Sequence, residues 1–310
     1  MLKSLKGMIR PIMKLDKWAK GVLFLAAILI ICLVMNLHIP VKEGFTQRKK
    51  FVLKEGIECY DGFYSEIYDD LVYDEVKNDF EIGELKRLIK PTKKSRILDI
   101  GSGTGHHVSM IKKLGCHAEG VDISPAMVEI AKNKYKNCKF TQGNALDNMI
   151  YKPNSFSTVT CFYFTIYYME DKQRFINNVY NWLMPGGYFI LHLVNRDKFD
   201  PILNTADPLH IVSAQKYAKK RITNSLVKFK DFQYKANFEL DKKNNLAEFK
   251  EDMTDDKSKH VRQNVHKLYM IPQKEIISMA KQTGFILQGK IDMVQTQYGY
   301  QYLYLMYKPE

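Results

Sequence analysis

Cysteine is scarce in this sequence: its 310 residues include five, and no two form the CxxC pair typical of zinc and redox sites. Their odd number and irregular spacing also give no disulfide framework of the kind that small secreted domains use. The sequence therefore predicts no metal site and favours a reducing compartment. The five positions are Cys32, Cys59, Cys116, Cys138 and Cys161.

Arginine is also scarce, since eight of the 47 basic residues are arginine and the others are lysine. The formal net charge is +13. A lysine-dominated excess fits three interpretations: nucleic-acid binding, attraction to an anionic membrane, and plain solubility. We favour the last, and nucleic acid stays an open but less favoured partner.

Long hydrophobic runs are absent except near the N-terminus, where residues 22–35 are all apolar. After Asn36 the run continues to Val41, so residues 21–41 have about the length that crosses a bilayer as a helix. We predict a transmembrane anchor over 21–41, preceded by a basic segment over 1–20. A cleaved signal peptide is less favoured, because no small-x-small cleavage site follows the run.

The orientation of this segment is not fixed by charge, because six basic residues precede it and five follow within twenty residues. An alternative rests on an apolar stripe among lysines at the start of the chain, which fits a helix lying on an anionic membrane or an organelle-targeting segment. The stripe consists of Leu2, Leu5, Ile9 and Ile12.

After a polar linker over 42–59, the pattern from residue 60 to 310 is that of one α/β domain. Apolar runs typical of strands alternate with amphipathic stretches, which predicts a mainly parallel sheet. One such stretch, 125–135, follows Ser124, a residue type that favours helix N-termini. The predicted strands cover 96–100, 118–122, 139–141, 158–162 and 188–194.

A glycine-rich turn follows the first of these strands and reads Asp99-Ile100-Gly101-Ser102-Gly103-Thr104-Gly105. Glycines let the chain turn sharply and let a ligand approach bare backbone, while the next helix points its N-terminus at that ligand. Such a turn alone is weak evidence for any one class of protein, because dehydrogenases and flavoproteins use similar turns.

Further motifs follow in order. Asp122 ends the second strand, where an acidic side chain can bind both ribose hydroxyls, and residues 122–127 read D-x-S-x-x-M. Residues 143–145 read G-N-A, with Asn144 where an aspartate is usual, and 183–187 read L-M-P-G-G. Over about 60–195 and 272–310, the chain resembles the class I, Rossmann-like methyltransferases that depend on S-adenosylmethionine.

The resemblance implies a fold and a cofactor. We expect a seven-stranded, mostly parallel Rossmann-like sheet with helices on both faces and a terminal antiparallel strand, besides the transmembrane helix. The lead-in helix near residues 60–68 would close over S-adenosylmethionine. The implied cofactor-binding residues are Asp99, Gly101, Gly103, Gly105, Asp122, Ile123, Asn144, Ala145, Phe162, Tyr64 and Tyr68.

Methyl transfer requires a general base only if the acceptor must lose a proton. The weak catalytic candidates near the end of the fourth strand are Tyr163, Thr165, Tyr167 and Tyr168. We expect His106 and His107 to cap or line the helix after the glycine turn, and His192 to be a hydrogen-bonded core residue.

Two absences narrow the acceptor class. The [D/N/S]-P-P-[Y/F] tetrapeptide of amino-group methylases that act on nucleic-acid bases does not follow the fourth strand, and the Pro-Cys pair of cytosine-carbon methylases is missing. A long insertion over about 196–270 contains alternating runs, and we expect it to form antiparallel strands beside the pocket mouth.

We therefore expect a membrane-anchored methyltransferase for a small-molecule or lipid-like acceptor. The alternatives are an RNA or protein methyltransferase and a non-catalytic cofactor-binding membrane scaffold. A dehydrogenase is less favoured because of the Pro-Gly-Gly turn and the closing antiparallel strand. Because the methyl donor is made in the cytosol, we expect a single-pass protein whose catalytic domain faces the cytosol, with a mitochondrial location as the alternative. The sequence does not indicate an oligomeric state.

Overall fold

A computed structural model describes residues 16–22, 24–27, 49–201, 224–229 and 231–310. The chain divides into two compact units, Met1–Thr46 and Gln47–Glu310. In the first, residues 17–22 and 24–27 are helical, and the Asp16 carboxylate accepts a hydrogen bond from the Ala19 amide at 2.7 Å. Among the residues described, no helix combines the length and apolarity that a membrane span requires. Most of the predicted anchor over 21–41 lies outside the described residues, so the anchor stays a prediction.

The second unit contains the strands and helices that form the site. Its strands are β1 (Phe51–Glu55), β2 (Arg96–Ile100), β3 (His117–Asp122), β4 (Lys139–Gln142), β5 (Phe156–Cys161), β6 (Leu183–Val194), β7 (Asn224–Lys228), β8 (Phe232–Asp241), β9 (Leu246–Asp255), β10 (Val261–Tyr269), β11 (Ile286–Asp292) and β12 (Gln301–Tyr307). Its α-helices are α1 (Gly62–Val72), α2 (Glu75–Ile89), α3 (His106–Lys113), α4 (Pro125–Lys134), α5 (Lys172–Trp182) and α6 (Gln273–Thr283).

The first sheet has seven strands in the order β11-β12-β6-β5-β2-β3-β4. Strands β4, β3, β2, β5 and β6 pair in parallel, whereas β12 pairs antiparallel with both β6 and β11. This confirms the predicted seven-stranded, mostly parallel sheet with a terminal antiparallel strand. The predicted cap of α4 is also present, because the Ser124 hydroxyl accepts a hydrogen bond from the Met127 amide at 3.1 Å.

Helices cover both faces of this sheet, as expected. Successive side chains of a strand point to opposite faces. On β2, Leu98 packs in the cluster that contains α5 and α6, while Ile97 packs in the cluster that contains α2 and α3. On β6, Leu191 and Ile190 divide in the same way. The apolar run of each central strand is therefore explained by burial on two sides.

The second sheet has five strands in the order β1-β10-β9-β8-β7. Strands β7 to β10 are antiparallel and come from the 196–270 insertion, which was expected to form such strands; residues 202–223 and 230 lie outside the described residues. The polar linker over 42–59 needs a correction, because Phe51–Glu55 pairs in parallel with β10 and Gly56–Cys59 forms a 3-10 turn. Only two of the five β1 side chains are partly buried, so its pairing through the backbone left little signal in the sequence.

Candidate active site

The glycine turn joins β2 to α3 at the carboxyl end of the first sheet. The amides of Gly101 and Ser102 both donate to the Val121 carbonyl, at 2.8 and 3.1 Å, which holds the turn against β3. Gly101 has φ +70°, and a Cβ there would overlap the Thr165 side chain. The turn therefore requires glycine at this position both for its backbone conformation and for its contact with the next segment.

Asp122 ends β3 beside this turn. Its Oδ2 accepts from the Gly103 amide and its Oδ1 from the Ser124 amide, each at 2.9 Å. Burial raises the pKa of Asp122, although these amide hydrogen bonds oppose the shift. A carboxylate offers about four lone-pair sites, so Asp122 can still accept hydrogen bonds from two hydroxyls of a ligand.

A cavity of about 920 Å³ opens beside Asp122. Ile123 contributes an apolar side chain that is 43% exposed, which a flat base can cover. The Asn144 Oδ1 accepts from the Leu146 amide at 3.0 Å and keeps a second lone pair. Carboxylate, apolar face and bare glycine backbone are the groups that a nucleoside with a charged tail requires, so the residues fit S-adenosylmethionine. Seven predicted cofactor-binding residues line this cavity: Tyr68, Gly101, Gly103, Asp122, Ile123, Asn144 and Ala145.

The other predicted cofactor-binding residues lie elsewhere. Gly105 lines neither this cavity nor its neighbour, and a Cβ there would come within 2.6 Å of the Phe140 ring, so packing explains this glycine. Asp99, Phe162 and Tyr64 line the neighbouring, smaller cavity, which Tyr68 also lines. Burial raises the pKa of Asp99 to about 6, while His107 and the Thr160 hydroxyl, 2.7 Å away, oppose the shift.

The smaller cavity has a volume of about 130 Å³ and is rich in aromatic side chains. It adjoins the larger cavity, and the two share a wall. A group held in the smaller cavity would therefore lie next to a ligand in the larger one where the two cavities adjoin. The shared lining residues are Tyr60, Tyr68, Gly101, Gly103, Thr165 and Tyr168.

A buried polar network reaches this wall from the second sheet. The Glu251 side chain is fully buried on β9, and its Oε2 lies 2.7 Å from His266 Nε2 on β10. The other imidazole nitrogen, Nδ1, lies 3.0 Å from the Tyr168 hydroxyl, to which the Tyr60 hydroxyl donates at 2.8 Å. Neither Glu251 nor His266 was predicted from the sequence. The alternation of β10 was the available signal, but it does not say which face is buried.

Further partners keep Glu251 ionised. Its Oε1 accepts from the hydroxyls of Tyr234, at 2.6 Å, and Tyr64, at 2.8 Å. Burial would raise the pKa of Glu251, but the charge that His266 carries when it is protonated, the hydrogen bond of His266 and both hydroxyls outweigh burial and lower it. Because the carboxylate only accepts hydrogen bonds, His266 Nε2 carries a proton.

The four catalytic candidates follow β5, which is the fourth strand predicted from the sequence, and they do not all line a cavity. Tyr168, Tyr163 and Thr165 line the smaller cavity, and Tyr168 and Thr165 also line the larger one. The expectation for Tyr167 needs a correction: its side chain is fully buried, and its hydroxyl accepts from the Val194 amide at 2.9 Å. In this 3-10 turn, Thr165 and Tyr168 point to the cavities, whereas Ile166 and Tyr167 are buried in the core, which the sequence could not reveal.

The three histidines named from the sequence have partners. His106 stacks on Tyr73, with ring centroids 4.0 Å apart, and both His106 and His107 lie in the first turn of α3. His107 Nε2 lies 2.7 Å from the buried Glu81 carboxylate. His192 is fully buried, and its Nδ1 accepts from the Tyr163 amide at 3.0 Å, so it is the hydrogen-bonded core residue that was expected.

Comparison with known proteins agrees with this fold and site. The family model described as "Methyltransferase domain" matches residues 91–269, more than half of the chain. This chain belongs to the methyltransferase-domain family. The prediction of a class I methyltransferase that depends on S-adenosylmethionine is thereby confirmed.

Curated relatives match over part of their length. A demethylmenaquinone methyltransferase of Chlorobaculum parvum is 32% identical over 115 residues, which cover 36% of this chain and 47% of the relative. A dTDP-4-amino-2,3,4,6-tetradeoxy-D-glucose N,N-dimethyltransferase of Saccharopolyspora spinosa is 29% identical over 157 residues, or 49% of this chain and 59% of the relative. The chain thus spans about half the length of the curated relatives it matches.

Among solved structures, an S-adenosylmethionine-dependent methyltransferase from Clostridium acetobutylicum aligns with a TM-score of 0.61. The alignment covers 81% of this chain and all of that one, at 17% sequence identity. At this identity the likeness shows the fold alone.

Proposed function

We propose that this chain transfers a methyl group from S-adenosylmethionine to a small-molecule acceptor. The observation that carries the proposal is the pair of adjoining cavities that share the wall formed around Tyr60, Tyr68 and Tyr168. The larger has the groups that hold a nucleoside, and the smaller offers an aromatic lining of the kind that binds small organic molecules.

Within this proposal, Asp122 binds the ribose hydroxyls, Ile123 packs on the adenine, and Asn144 accepts from its amino group. Bare backbone at Gly101 and Gly103 leaves room for the methionine end beside the shared wall. S-adenosylmethionine supplies a methyl group already activated on a sulfonium. The chain therefore contributes mainly alignment of the acceptor and exclusion of water.

The side chains that line the two cavities argue against two alternatives, an RNA methyltransferase and a non-catalytic scaffold. Six acidic side chains and two lysines line them, a balance that does not favour a polyanionic acceptor such as RNA. A scaffold that had lost its cofactor would have side chains filling the larger cavity, and about 920 Å³ is open there. The acidic residues are Glu55, Glu58, Asp69, Asp99, Asp122 and Glu248; the lysines are Lys77 and Lys267.

Calorimetric titration of the full chain with S-adenosylmethionine and, separately, with NADH tests the cofactor. We expect S-adenosylmethionine to bind and NADH to give no heat beyond dilution. A folded chain that does not bind millimolar S-adenosylmethionine would contradict the proposal. Transfer of isotope-labelled methyl groups to a panel of quinols, phenols and amino sugars then tests the activity.

We also propose, from the sequence, that residues 21–41 anchor the chain to a membrane with the catalytic domain facing the cytosol. The quinone substrate in the name of the Chlorobaculum parvum relative is compatible with a lipid-like acceptor. Protease digestion of sealed vesicles, with tags at Met1 and Glu310, tests this. A Glu310 tag that is protected inside a secretory lumen would contradict the proposed topology.

A further inference from the structure

The side chains of Glu251, His266, Tyr168 and Tyr60 form an unbroken hydrogen-bonded chain that ends at the boundary between the cavities. Its first bond, from His266 to Glu251, and its last, from Tyr60 to Tyr168, are 2.7 and 2.8 Å long. Glu251 lines neither cavity, His266 lines the smaller one, and both tyrosines line both. These hydrogen bonds therefore lead from a buried carboxylate to the place where a methyl group would be transferred.

The direction of the hydrogen bonds follows from Glu251. Because this carboxylate accepts from His266 Nε2, a neutral His266 has its lone pair on Nδ1. The Tyr168 hydroxyl then donates to Nδ1 and accepts from the Tyr60 hydroxyl. The oxygen lone pairs of Tyr60 form the outer end of this series of hydrogen bonds. The series is therefore arranged to receive a proton at Tyr60.

Contacts from both sheets hold the outer end in place. The Ser124 hydroxyl, which caps α4 beside Asp122, donates to the Tyr60 carbonyl at 2.7 Å. From β10, Arg262 donates to the Cys59 carbonyl at 3.1 Å and to the Asp61 carboxylate at 2.9 Å. Tyr60 is therefore bound to the cofactor side and to the second sheet at once, as a positioned reactive group requires.

We infer that Glu251, His266, Tyr168 and Tyr60 remove the proton of the methyl acceptor, and that the acceptor is an aromatic hydroxyl compound. This inference rests on the proposed function. The hydroxyl oxygen bonds to the methyl carbon as the carbon–sulfur bond breaks, and its proton passes to Tyr60. Tyr60 passes its own proton to Tyr168, and Tyr168 passes its proton to His266 Nδ1. The positive charge of the sulfonium thus becomes that of an imidazolium beside the Glu251 carboxylate, and solvent takes the proton after product release.

Two features favour a phenol over an amine. The charge of Glu251 is kept away from the cavity, so the relay presents no anion to a cationic amine. The smaller cavity also has the aromatic walls that suit a ring, namely Phe162, Phe164, Phe199, Phe238 and Phe249.

The roles differ along the relay. Tyr60, Tyr168 and His266 line the cavity and are the catalytic residues of the proposal. Glu251 acts through His266 and is a positioning residue. The groups that face His266 are Glu251 and Phe249 from β9, Tyr168 from the 3-10 turn after β5, Tyr60 from the segment before α1, and Tyr64 from α1.

The test uses the full chain and a series of phenols of graded acidity, from phenol to 4-nitrophenol, with labelled S-adenosylmethionine. We expect His266→Gln to reduce kcat for phenol by about 100-fold or more, the usual contribution of a general base. At about pH 9 phenol keeps most of its protons whereas 4-nitrophenol is ionised. The variant should therefore methylate 4-nitrophenol within about 3-fold of the wild type, because no proton has to leave.

The tyrosines provide a matched pair on one turn. Tyr168→Phe breaks the relay and should show the same selective loss as His266→Gln. Tyr167→Phe removes a hydroxyl that binds only the Val194 backbone, so it should lower Tm and leave kcat unchanged. Glu251→Gln removes the anion that stabilises the imidazolium, so it should shift the pH profile of kcat/KM for phenol to lower pH and keep the rate with 4-nitrophenol.

The outcomes separate this inference from the proposed function. If the wild type binds S-adenosylmethionine but methylates none of the phenols, the inference is wrong and the proposed function stands. Equal losses for phenol and 4-nitrophenol in His266→Gln, with cofactor binding intact, would also overturn the proton relay. If the wild type does not bind S-adenosylmethionine, the proposed function itself fails.

Discussion

The two sides of the shared wall are built in different ways. On the cofactor side, backbone amides and one carboxylate come from neighbouring strands and turns between Gly101 and Ala145. On the acceptor side, Tyr60, Tyr168, Glu251 and His266 come from segments far apart in the chain and meet through two sheets. Local backbone geometry therefore defines the first side, and tertiary packing defines the second.

Two fully buried glutamates have partners that line the smaller cavity, and these partners differ. Near the glycine turn, Glu81 accepts from Lys77 at 3.0 Å and contacts His107. Burial raises the pKa of Glu81, but Lys77 and the histidines outweigh burial and lower it. Glu251 has hydroxyls and an imidazole as partners and no lysine. A fixed cation suits a structural carboxylate, whereas a titratable imidazole suits a carboxylate that supports proton transfer.

The largest expected effect concerns the cation beside Glu81. Lys77→Met leaves this carboxylate buried without its lysine, and we expect a loss of about 3–5 kcal/mol in the free energy of unfolding. Lys139→Met is the control, because Lys139 pairs with Glu119 at 2.8 Å but is 71% exposed, and its loss should be about 0–1 kcal/mol. Urea unfolding measures both. Equal losses would show that Glu81 does not depend on Lys77.

The glycine turn gives the next largest effect. Gly101→Ala should cost about 2–5 kcal/mol, from the left-handed backbone and from overlap with Thr165, and should abolish measurable binding of S-adenosylmethionine. Gly115→Ala has the same kind of strain, with φ +86°, but open space around the new Cβ. It should lose about 1–2 kcal/mol and keep its cofactor affinity. Unfolding curves and calorimetry distinguish the two, and unchanged binding in Gly101→Ala would contradict the site.

The carboxylates Asp99 and Glu251 should respond to pH in opposite ways. Burial raises the pKa of Asp99 from 3.8 to about 6, so between these values the folded state keeps a proton that the unfolded state loses. Stability from this residue therefore falls as pH rises from about 4 to about 6, by about 3 kcal/mol in total. Asp99→Asn should remove that fall and retain the Thr160 hydrogen bond.

Urea unfolding of the wild type and Asp99→Asn at several pH values measures this difference. Glu251→Gln is the comparison, because the lowered pKa of Glu251 gives stability that is present above its ordinary value and lost as pH falls. If the gap between the wild type and Asp99→Asn did not change with pH, the assigned pKa of Asp99 would be wrong.

The smallest expected effect tests the ribose contact. Asp122→Ala should weaken S-adenosylmethionine binding by about 1.5–3 kcal/mol for each charge-assisted hydrogen bond that is lost. Asp122→Asn keeps one acceptor oxygen and should lose less. Calorimetry provides the dissociation constants, and thermal unfolding shows whether the Gly103 and Ser124 contacts still hold the turn. An unchanged dissociation constant in Asp122→Ala would show that the ribose lies elsewhere.

The sequence by itself determined five strands of the first sheet, and its resemblance to class I methyltransferases implied the seven-stranded sheet and most of the cofactor side. Alternation and apolar runs specify strands, and the glycine turn, Asp122 and the 143–145 segment each act through backbone geometry within a few residues. The roles of Gly105 and Tyr167 were not predictable in this way. Gly105 is required by the close approach of the Phe140 ring, and Tyr167 is held by its hydrogen bond with the Val194 backbone.

Only the tertiary structure decided the acceptor side. Strand β1 is stabilised by pairing with β10, about 200 residues later, and three of its five side chains are exposed. Glu251 and His266 lie on strands where polar residues occupy both faces, so the sequence alone could not show which face is buried. The register that places them beside each other, and the turn that brings Tyr168 to His266, arise from long-range packing between two sheets. Such contacts depend on the whole fold, and no local pattern encodes them.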